Sequence, residues 1–279
     1  MIKYFYIFYS FFFHLYNLFI LRLIIFFNTK NKISNSKNNK PINLNKIIIF
    51  GSSKSLLKID NNEKKIILKF PKVFMNRNLI YWKKINIWPE YYFLLDTPMK
   101  SKVSGKIFVE TLKTIEKNKK KTPPIFLLES FYKFLTPKIY KAFFFNFRKS
   151  SNLNWANNKN ETLFGHHGSL TSLINILCIL KFRKILILGV DLNTSGYFYN
   201  KKNTLSKFTD HQSNREEKRY KIHANLIKKN NKNILTYWNL INKSIRKKNI
   251  SIYCGSKKSE LIKKGFVRYM SIKNFNSLK

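Results

Sequence analysis

The sequence predicts an α/β fold with a mostly parallel sheet that is flanked by helices. Short runs of β-branched and aromatic residues recur along the chain, which is typical of buried strands. Segments with helical periodicity separate these runs, and strands that alternate with helices form parallel sheets. The clearest unit is GSLTSLINILCILKFRKILILGVD, residues 168–191. It predicts a helix from Ser169 or Leu170, a turn at 181–183 and a central strand at 184–188.

The composition excludes two broad classes of protein. With 44% hydrophobic residues the chain is not a disordered basic tail, and with two Cys it is not a disulfide-stapled domain. The net charge is +41, but only eight of the 54 cations are Arg, and 34 Asn accompany them. We interpret most of this Lys excess as a compositional background on solvated faces, which still favours association with anionic membranes.

The first 44 residues predict an anchor and a linker. Residues 1–27 are almost continuously apolar and aromatic, which predicts an N-terminal membrane anchor helix that spans the bilayer or lies in its interface. Arg22 interrupts the run, so a hydrophobic helix packed on the domain is the alternative. Residues 28–44 are rich in Asn and Lys and predict a linker, and their charge favours a cytoplasmic domain over residues 45–279.

The first strand of that domain, residues 45–50, ends in the small-residue turn GSSKS. Such a turn lets backbone N–H groups and hydroxyls approach a phosphate or ribose at a helix start. Ser as a simple helix N-cap is an equally good interpretation. Further strands are predicted at 72–75, 91–95, 125–129 and 249–254, and residues 131–150 predict a helix packed against the sheet.

Two strand ends are candidates for a ligand-binding site, because ligands of parallel sheets bind beyond the carboxyl ends of strands. Gly51 and Asp191 both lie at such ends. After Asp191 the periodicity is lost, and residues 192–222 predict a lid over a site. A long helix is predicted at 224–247.

Four segments resemble a known family. They are IIFGSSKSLLKID (48–60), GSLTSLINILCILKFRKILILGVD (168–191), YKIH (220–223) and IYCGSKKS (252–259). Their order and spacing are similar to the bacterial lipooligosaccharide sialyltransferases of glycosyltransferase family 42 and their DUF115-type relatives. The resemblance implies a Rossmann-like domain, a GT-A-like variant, that transfers a sugar from a nucleotide-sugar donor to a glycan or glycolipid acceptor in lipopolysaccharide biosynthesis. The predicted anchor and the basic surface would hold such an enzyme at the inner membrane.

The resemblance also implies roles for particular residues. His223 corresponds to the general base, and Tyr199 corresponds to one of the family's two tyrosines that support the leaving phosphate. The other tyrosine position holds Asn193, for which Tyr197 could substitute. On chemical grounds Tyr220 is a further catalytic candidate, because its hydroxyl could donate to the same phosphate. The expected nucleotide-sugar contacts are Gly51, Ser52, Ser53, Ser55, Asn76, Asn78, Asp96, Gly168, Ser169, Asp191 and Tyr197. The sequence departs from the family at Ser52, where the family has Asn, and at Arg77, which stands at the family's Asn position between Asn76 and Asn78. These departures leave the donor open, although a CMP-linked donor is favoured.

The chemistry indicates the same kind of mechanism. A transferase needs a base near neutral pH, which suits His223, and hydrogen-bond donors on the leaving phosphate. The chain contains no Asp-x-Asp, so we expect a metal-independent reaction without a cofactor. His211, which follows Asp210, is the second candidate for the base. Three alternatives stay open: His223 could cap a helix, Asp191 could hold the lid, and His166 or His167 could contact the donor. The alternative functions are a pyrophosphokinase-like DUF115-type enzyme, an inactive homologue, or a basic nucleic-acid-binding protein.

Deletion of residues 1–30 should release the protein from membranes, because the deletion removes the apolar anchor. Fractionation of cells that express the full-length or the truncated chain measures this. A full-length chain found wholly in the soluble fraction would contradict the anchor.

Overall fold

The computed structural model describes residues 45–95, 102–148, 155–164, 169–193, 197–199, 223, 226 and 233–278. The predicted anchor (1–27), the linker (28–44) and most of the predicted lid (192–222) lie outside these ranges. None of the helices in the described ranges combines the length and apolar character that a membrane span requires.

Eight strands form one sheet in which every neighbouring pair is parallel. These strands are β1 (Lys46–Phe50), β2 (Lys72–Met75), β3 (Tyr91–Leu94), β4 (Ile125–Glu129), β5 (Ala142–Phe145), β8 (Lys184–Leu188), β9 (Ser251–Cys254) and β10 (Arg268–Tyr269). The strand order is β10-β9-β8-β1-β2-β3-β4-β5. Two short strands, β6 (Phe147–Arg148) and β7 (Leu163–Phe164), form a separate parallel pair. The predicted Rossmann-like parallel architecture is therefore confirmed.

Helices cover both faces of the sheet. They are α1 (Asn61–Ile67), α2 (Lys102–Glu116), α3 (Ser169–Ile179), α4 (Ile234–Arg246), α5 (Glu260–Lys263) and α6 (Ile272–Ser277). Buried side chains of α1, α2 and α6 share one apolar cluster with one face of the sheet, and those of α3, α4 and α5 share a second cluster with the other face. The central strands are buried on both sides, which is why they read as continuous apolar runs in the sequence.

Most predicted elements are confirmed with small shifts in their bounds. β2, β4 and β8 have the predicted bounds, and α3 begins at Ser169 as expected. The described part of the predicted helix 224–247 is α4, which begins after Asn233, where the Asn233 side chain accepts hydrogen bonds from the first-turn N–H groups.

The predicted helix at 131–150 is wrong. This segment contains a 3₁₀ turn at Ser130–Phe134 and then β5 and β6. Side chains in β5 alternate between the two faces: Phe144 packs with one apolar cluster, while Phe145 lies in the other. The aromatic run therefore satisfies the period of two of a strand, which a continuous stretch of Phe does not distinguish from a helix.

The strand order reverses between β1 and β8. From β1 the chain builds the sheet outward through β2 to β5, and it then returns to place β8 on the other side of β1. Parallel sheets bind ligands in the crevice at such a reversal. The backbone closes tightly there, because Gly51 N donates to Leu188 O (2.7 Å) and Ser53 N donates to Gly189 O (2.8 Å). Gly189 has a φ of +67°, a conformation that favours glycine.

The substitution Gly51→Ala should lower the free energy of unfolding by about 1–3 kcal/mol. A Cβ at this position would lie 2.3 Å from the backbone oxygen of Gly189, which cannot move without disturbing β8. Urea denaturation measures the change. Gly265→Ala is the control, since a Cβ there meets no heavy atom within 4 Å and only its φ of +71° is unfavourable. A Gly51→Ala cost no larger than that of the control would contradict the tight junction.

Candidate functional site

Asn78 holds the loop that follows β1. It is fully buried, and its Nδ2 donates to Phe50 O (2.7 Å) and to Gly51 O (2.6 Å). Its Oδ1 accepts a hydrogen bond from Ser52 Oγ (3.2 Å). Both hydrogens of the amide are thus directed at the backbone of the loop. This geometry makes Asn78 a residue that positions Gly51 and Ser52, while its predicted contact with a donor stays a prediction.

The carboxylate of Asp191 ties the same loop to the end of β8. Asp191 is buried, and its carboxylate accepts hydrogen bonds from Ser53 Oγ and from Ser55 Oγ (3.1 Å for Ser55). Ser53 precedes the 3₁₀ turn Lys54–Lys58 without a side-chain capping bond. The expected N-cap position of this serine is confirmed, but its hydroxyl is directed at Asp191 and makes no capping bond. Of the two roles considered for Asp191, the contacts favour that of a brace at the strand end.

The end of β8 is also held from the side of β9. Ser259 Oγ donates to Val190 O (2.7 Å), and Glu260 N donates to Asp191 O (3.0 Å). Ser259 is fully buried. Asp191 is consequently fixed through both its side chain and its backbone, so the loops after β1, β8 and β9 form one connected edge.

Three tyrosines stack beside this edge. The Tyr199 ring lies between Tyr81 (centroids 5.0 Å apart, planes at 18°) and Tyr197 (5.3 Å, 5°). Phe198 N donates to Ser52 O (2.9 Å), and Tyr197 forms an antiparallel bridge with Ser53. The loop after β1 therefore carries the stack at a fixed position. We call Tyr81, Tyr197 and Tyr199 the tyrosine stack.

Two cations meet Tyr199 at opposite ends of the residue. Arg77 Nη1 donates to the Tyr199 hydroxyl (3.1 Å), and Lys84 Nζ donates to the Tyr199 carbonyl oxygen (3.0 Å). The guanidinium carbon also lies 5.8 Å from the ring centroid, a cation–π distance. The site thus combines phenolic hydroxyls with positive charge, which is the chemistry that recognises an anion.

The Tyr199 hydroxyl is protonated at neutral pH. Burial raises its pKa, and the Arg77 charge together with hydrogen bonds with Arg77 and Ser52 opposes this only in part, while Tyr81 adds to the rise. A phenol that accepts a hydrogen bond from Arg77 keeps its own proton to donate. Tyr199 is therefore suited to donate a hydrogen bond to an anionic group.

Asn76 connects the site to the start of α3. Its Nδ2 donates to Ser169 Oγ (3.3 Å), and Ser169 is the first residue of that helix. Asn76 has a φ of +52°, in the left-handed region that Asn tolerates better than most residues. This turn directs the chain from the end of β2 toward Arg77 and Asn78.

His223 is half-buried, and its carbonyl oxygen accepts a hydrogen bond from Leu226 N (2.8 Å). Burial lowers the pKa of His223 to about 4, because it disfavours the charged imidazolium. The imidazole is consequently neutral at pH 7, but its pKa lies well below the near-neutral value expected for the base. Its assignment as the general base stays a prediction.

The structure brings ten of the predicted site residues to the carboxyl edge of the sheet. They are Gly51, Ser52, Ser53, Ser55, Asn76, Asn78, Ser169, Asp191, Tyr197 and Tyr199. Asp96, Gly168 and Tyr220 lie outside the described residues, as do His166, His167, Asp210 and His211. Within the described ranges, no three His, Cys, Asp or Glu side chains are grouped so that they could hold a metal ion.

Sequence reasoning missed Tyr81 and Lys84, and it noted Arg77 only as a departure from the family. All three follow β2 in the segment NRNLIYWKK, residues 76–84. The rule that selected Asp191, a polar residue just beyond a buried strand, also applies to Arg77. The stacking of Tyr81 on Tyr199 has no comparable signal, since the two residues are far apart in the sequence.

Comparisons with known proteins give one structural similarity. No family model matches the chain, and no curated protein matches its sequence. The crystal structure of the monofunctional alpha-2,3-sialyltransferase Cst-I from Campylobacter jejuni is similar, with a TM-score of 0.48 and 14% identity over 89% of this chain and 86% of that chain. The parallel sheet and its strand order establish the fold of this chain independently of that similarity.

We expect a coupling of about 1–2 kcal/mol between Ser55 and Asp191, because a hydrogen bond to a buried carboxylate stabilises more than a neutral one. A double-mutant cycle of Ser55→Ala and Asp191→Ala, followed by urea denaturation, measures it. Pairing Asp191→Ala with Ser271→Ala is the control, since Ser271 caps α6. Equal coupling in both cycles would show that the Ser55 bond does not hold the loop.

Proposed function

We propose that the chain is a glycosyltransferase that transfers a sugar from a nucleotide-sugar donor to a hydroxyl of a cell-surface glycan or glycolipid. One observation carries the proposal: the small-residue loop after β1 and the Arg77–Tyr199 pair meet where the strand order reverses. That crevice is where parallel sheets bind nucleotides. Guanidinium and phenol groups are suited to a departing phosphate. The four family-like sequence segments support the same reaction.

In the proposed reaction the acceptor hydroxyl gives its proton to the His223 imidazole. The acceptor oxygen forms a bond to the anomeric carbon of the donor sugar while the bond from that carbon to the phosphate oxygen breaks. The electron pair of the broken bond leaves with the nucleotide phosphate. Tyr199 and Tyr220 donate hydrogen bonds to that phosphate as its charge grows. The lack of an Asp-x-Asp supports a metal-independent reaction.

The remaining site residues position the loops around the proposed donor. Asn78 and Asp191 hold the loop after β1 in place, and Gly51, having no side chain, lets that loop pack against Gly189 and Val190 at the end of β8. Ser169 and Asn76 extend the same edge toward α3. The apolar N-terminus and the high positive charge would hold the enzyme on the cytoplasmic side of an anionic inner membrane, near a lipid-linked acceptor.

A thermal-shift screen of CMP-, UDP- and GDP-sugars tests the donor, with a CMP-linked and sialic acid-like sugar as the favoured candidate. A ligand that binds only the folded chain raises its melting temperature in proportion to occupancy. We expect one donor class to give a saturable rise in melting temperature.

Two other outcomes would favour the alternative functions. A rise with ATP alone would favour the pyrophosphokinase-like alternative. Salt-sensitive retention on DNA that exceeds retention on anionic vesicles would favour a nucleic-acid-binding protein. Either result would contradict the transferase.

The pH dependence of kcat/KM should identify the base. This ratio reports the pKa of the free enzyme, and burial lowers the pKa of His223 to about 4. A base must be unprotonated to act, so activity should persist as the pH falls from 7 to 5 and be lost through pH 4. A histidine with its ordinary pKa would instead lose activity near pH 6.5.

His223→Ala provides the control for this profile. Transfer should fall by about 10²- to 10⁴-fold and the acidic limb should disappear, while the affinity for the donor is retained. His211→Ala is the matched variant at the runner-up base and should keep its activity. Unchanged turnover in His223→Ala would contradict the assignment, and a loss confined to His211→Ala would transfer the role to His211.

A further inference from the structure

Arg77 carries a charge that the described residues leave unpaired. It follows β2 directly and is half-buried, and its Nε is shut off from solvent without a hydrogen-bond partner. Its Nη1 donates to the neutral hydroxyl of Tyr199. Among the ion pairs of the described ranges, none involves Arg77. The guanidinium therefore lacks a carboxylate partner in the part of the chain that the structure describes.

The two buried lysines of the described residues have hydrogen-bond acceptors. Lys72 Nζ donates to Phe70 O (2.8 Å) and pairs with Glu90 (3.0 Å). Lys46 Nζ donates to backbone oxygens at the end of α6, including that of Phe275 (3.3 Å). Both lysines lie at the amino end of the sheet, away from the site. Within the described ranges, both buried lysines thus have acceptors, whereas the buried Nε of Arg77 has none.

An unsatisfied N–H on a buried charged group costs free energy that folding does not recover. Such a group in a native protein calls for an explanation, and a ligand that supplies the missing acceptor is one. Among the described residues, the side chains that contact Arg77 and its partner carry hydroxyls: Tyr199 contacts the guanidinium, and Ser52 bonds to Tyr199. Hydroxyls can donate to an anion that the guanidinium attracts, whereas carboxylates would repel it.

We propose that Arg77 binds the phosphate of the nucleotide donor directly, with the Tyr199 hydroxyl beside it. The planar guanidinium fork matches two phosphate oxygens, and of its described hydrogen bonds only one, from Nη1 to Tyr199, is made within the protein. This inference rests on the proposed function for the identity of the anion. It makes Arg77 a donor-binding residue that sequence reasoning had only noted as a departure.

Calorimetric binding of three nucleotide and nucleoside pairs tests the proposal: CMP with cytidine, UMP with uridine and GMP with guanosine. Each pair differs only in the phosphate, so the ratio of the two affinities isolates the phosphate contact. We expect at least one pair in which the nucleotide binds about 10- to 100-fold more tightly than the nucleoside. In Arg77→Gln this ratio should fall to near one, while the affinity for the nucleoside is unchanged.

Two further variants sharpen the comparison. Arg77→Lys keeps the charge but removes the planar fork, so its ratio of nucleotide to nucleoside affinity should lie between those of the wild type and Arg77→Gln. This variant also provides a test if Arg77→Gln does not fold. Arg246→Gln is the charge-matched control. It removes an exposed cation at the end of α4, the helix that leads into the amino end of β9, and should leave the ratio unchanged.

The outcomes separate the inference from the proposed function. Equal weakening of nucleotide and nucleoside in Arg77→Gln would mean that Arg77 only supports Tyr199, which overturns the inference and leaves the transferase standing. An unchanged ratio in Arg77→Gln, or a wild-type ratio near one in all three pairs, would overturn it as well. If no nucleotide and no nucleoside binds the wild-type protein, the proposed function falls together with the inference.

Discussion

The buried carboxylate of Asp191 joins two strands that are far apart in the sequence but adjacent in the sheet. Ser53 and Ser55 belong to the loop after β1, and Asp191 follows β8, so their hydrogen bonds close the point where the strand order reverses. Gly51 and Gly189 allow the two backbones to approach, because a side chain at either position would collide with the neighbouring loop. The tyrosine stack then rests on this loop through Ser52 and Ser53.

The division between structural and chemical residues follows from this junction. Asn78 and Asp191 use their polar atoms on the protein itself, so they position the loop. Tyr199 and Arg77 face each other through a single hydrogen bond and keep further donors. The proposed function therefore depends on a few polar side chains at one edge of the sheet, and the overall net charge of +41 has little part in it.

The sequence was sufficient for much of the fold. β2, β4 and β8 could be placed because each is a short buried run bounded by turn residues, and Gly51 and Asp191 could be assigned to strand ends for the same reason. The segment 131–150 could not be assigned correctly, because a run of Phe has no polar positions that would reveal its period. Tertiary contacts were equally hidden. Neither the bonds of Asp191 to two serines nor the stacking of Tyr81 on Tyr199 leaves a local pattern in the sequence.

A crystal structure of the protein with its donor nucleotide bound tests the central claim most directly. The account predicts the nucleotide in the crevice between the ends of β1 and β8, with its phosphate about 3 Å from Arg77 or the Tyr199 hydroxyl. A nucleotide bound at another face of the sheet, with the Asp191 junction and the tyrosine stack untouched, would contradict it.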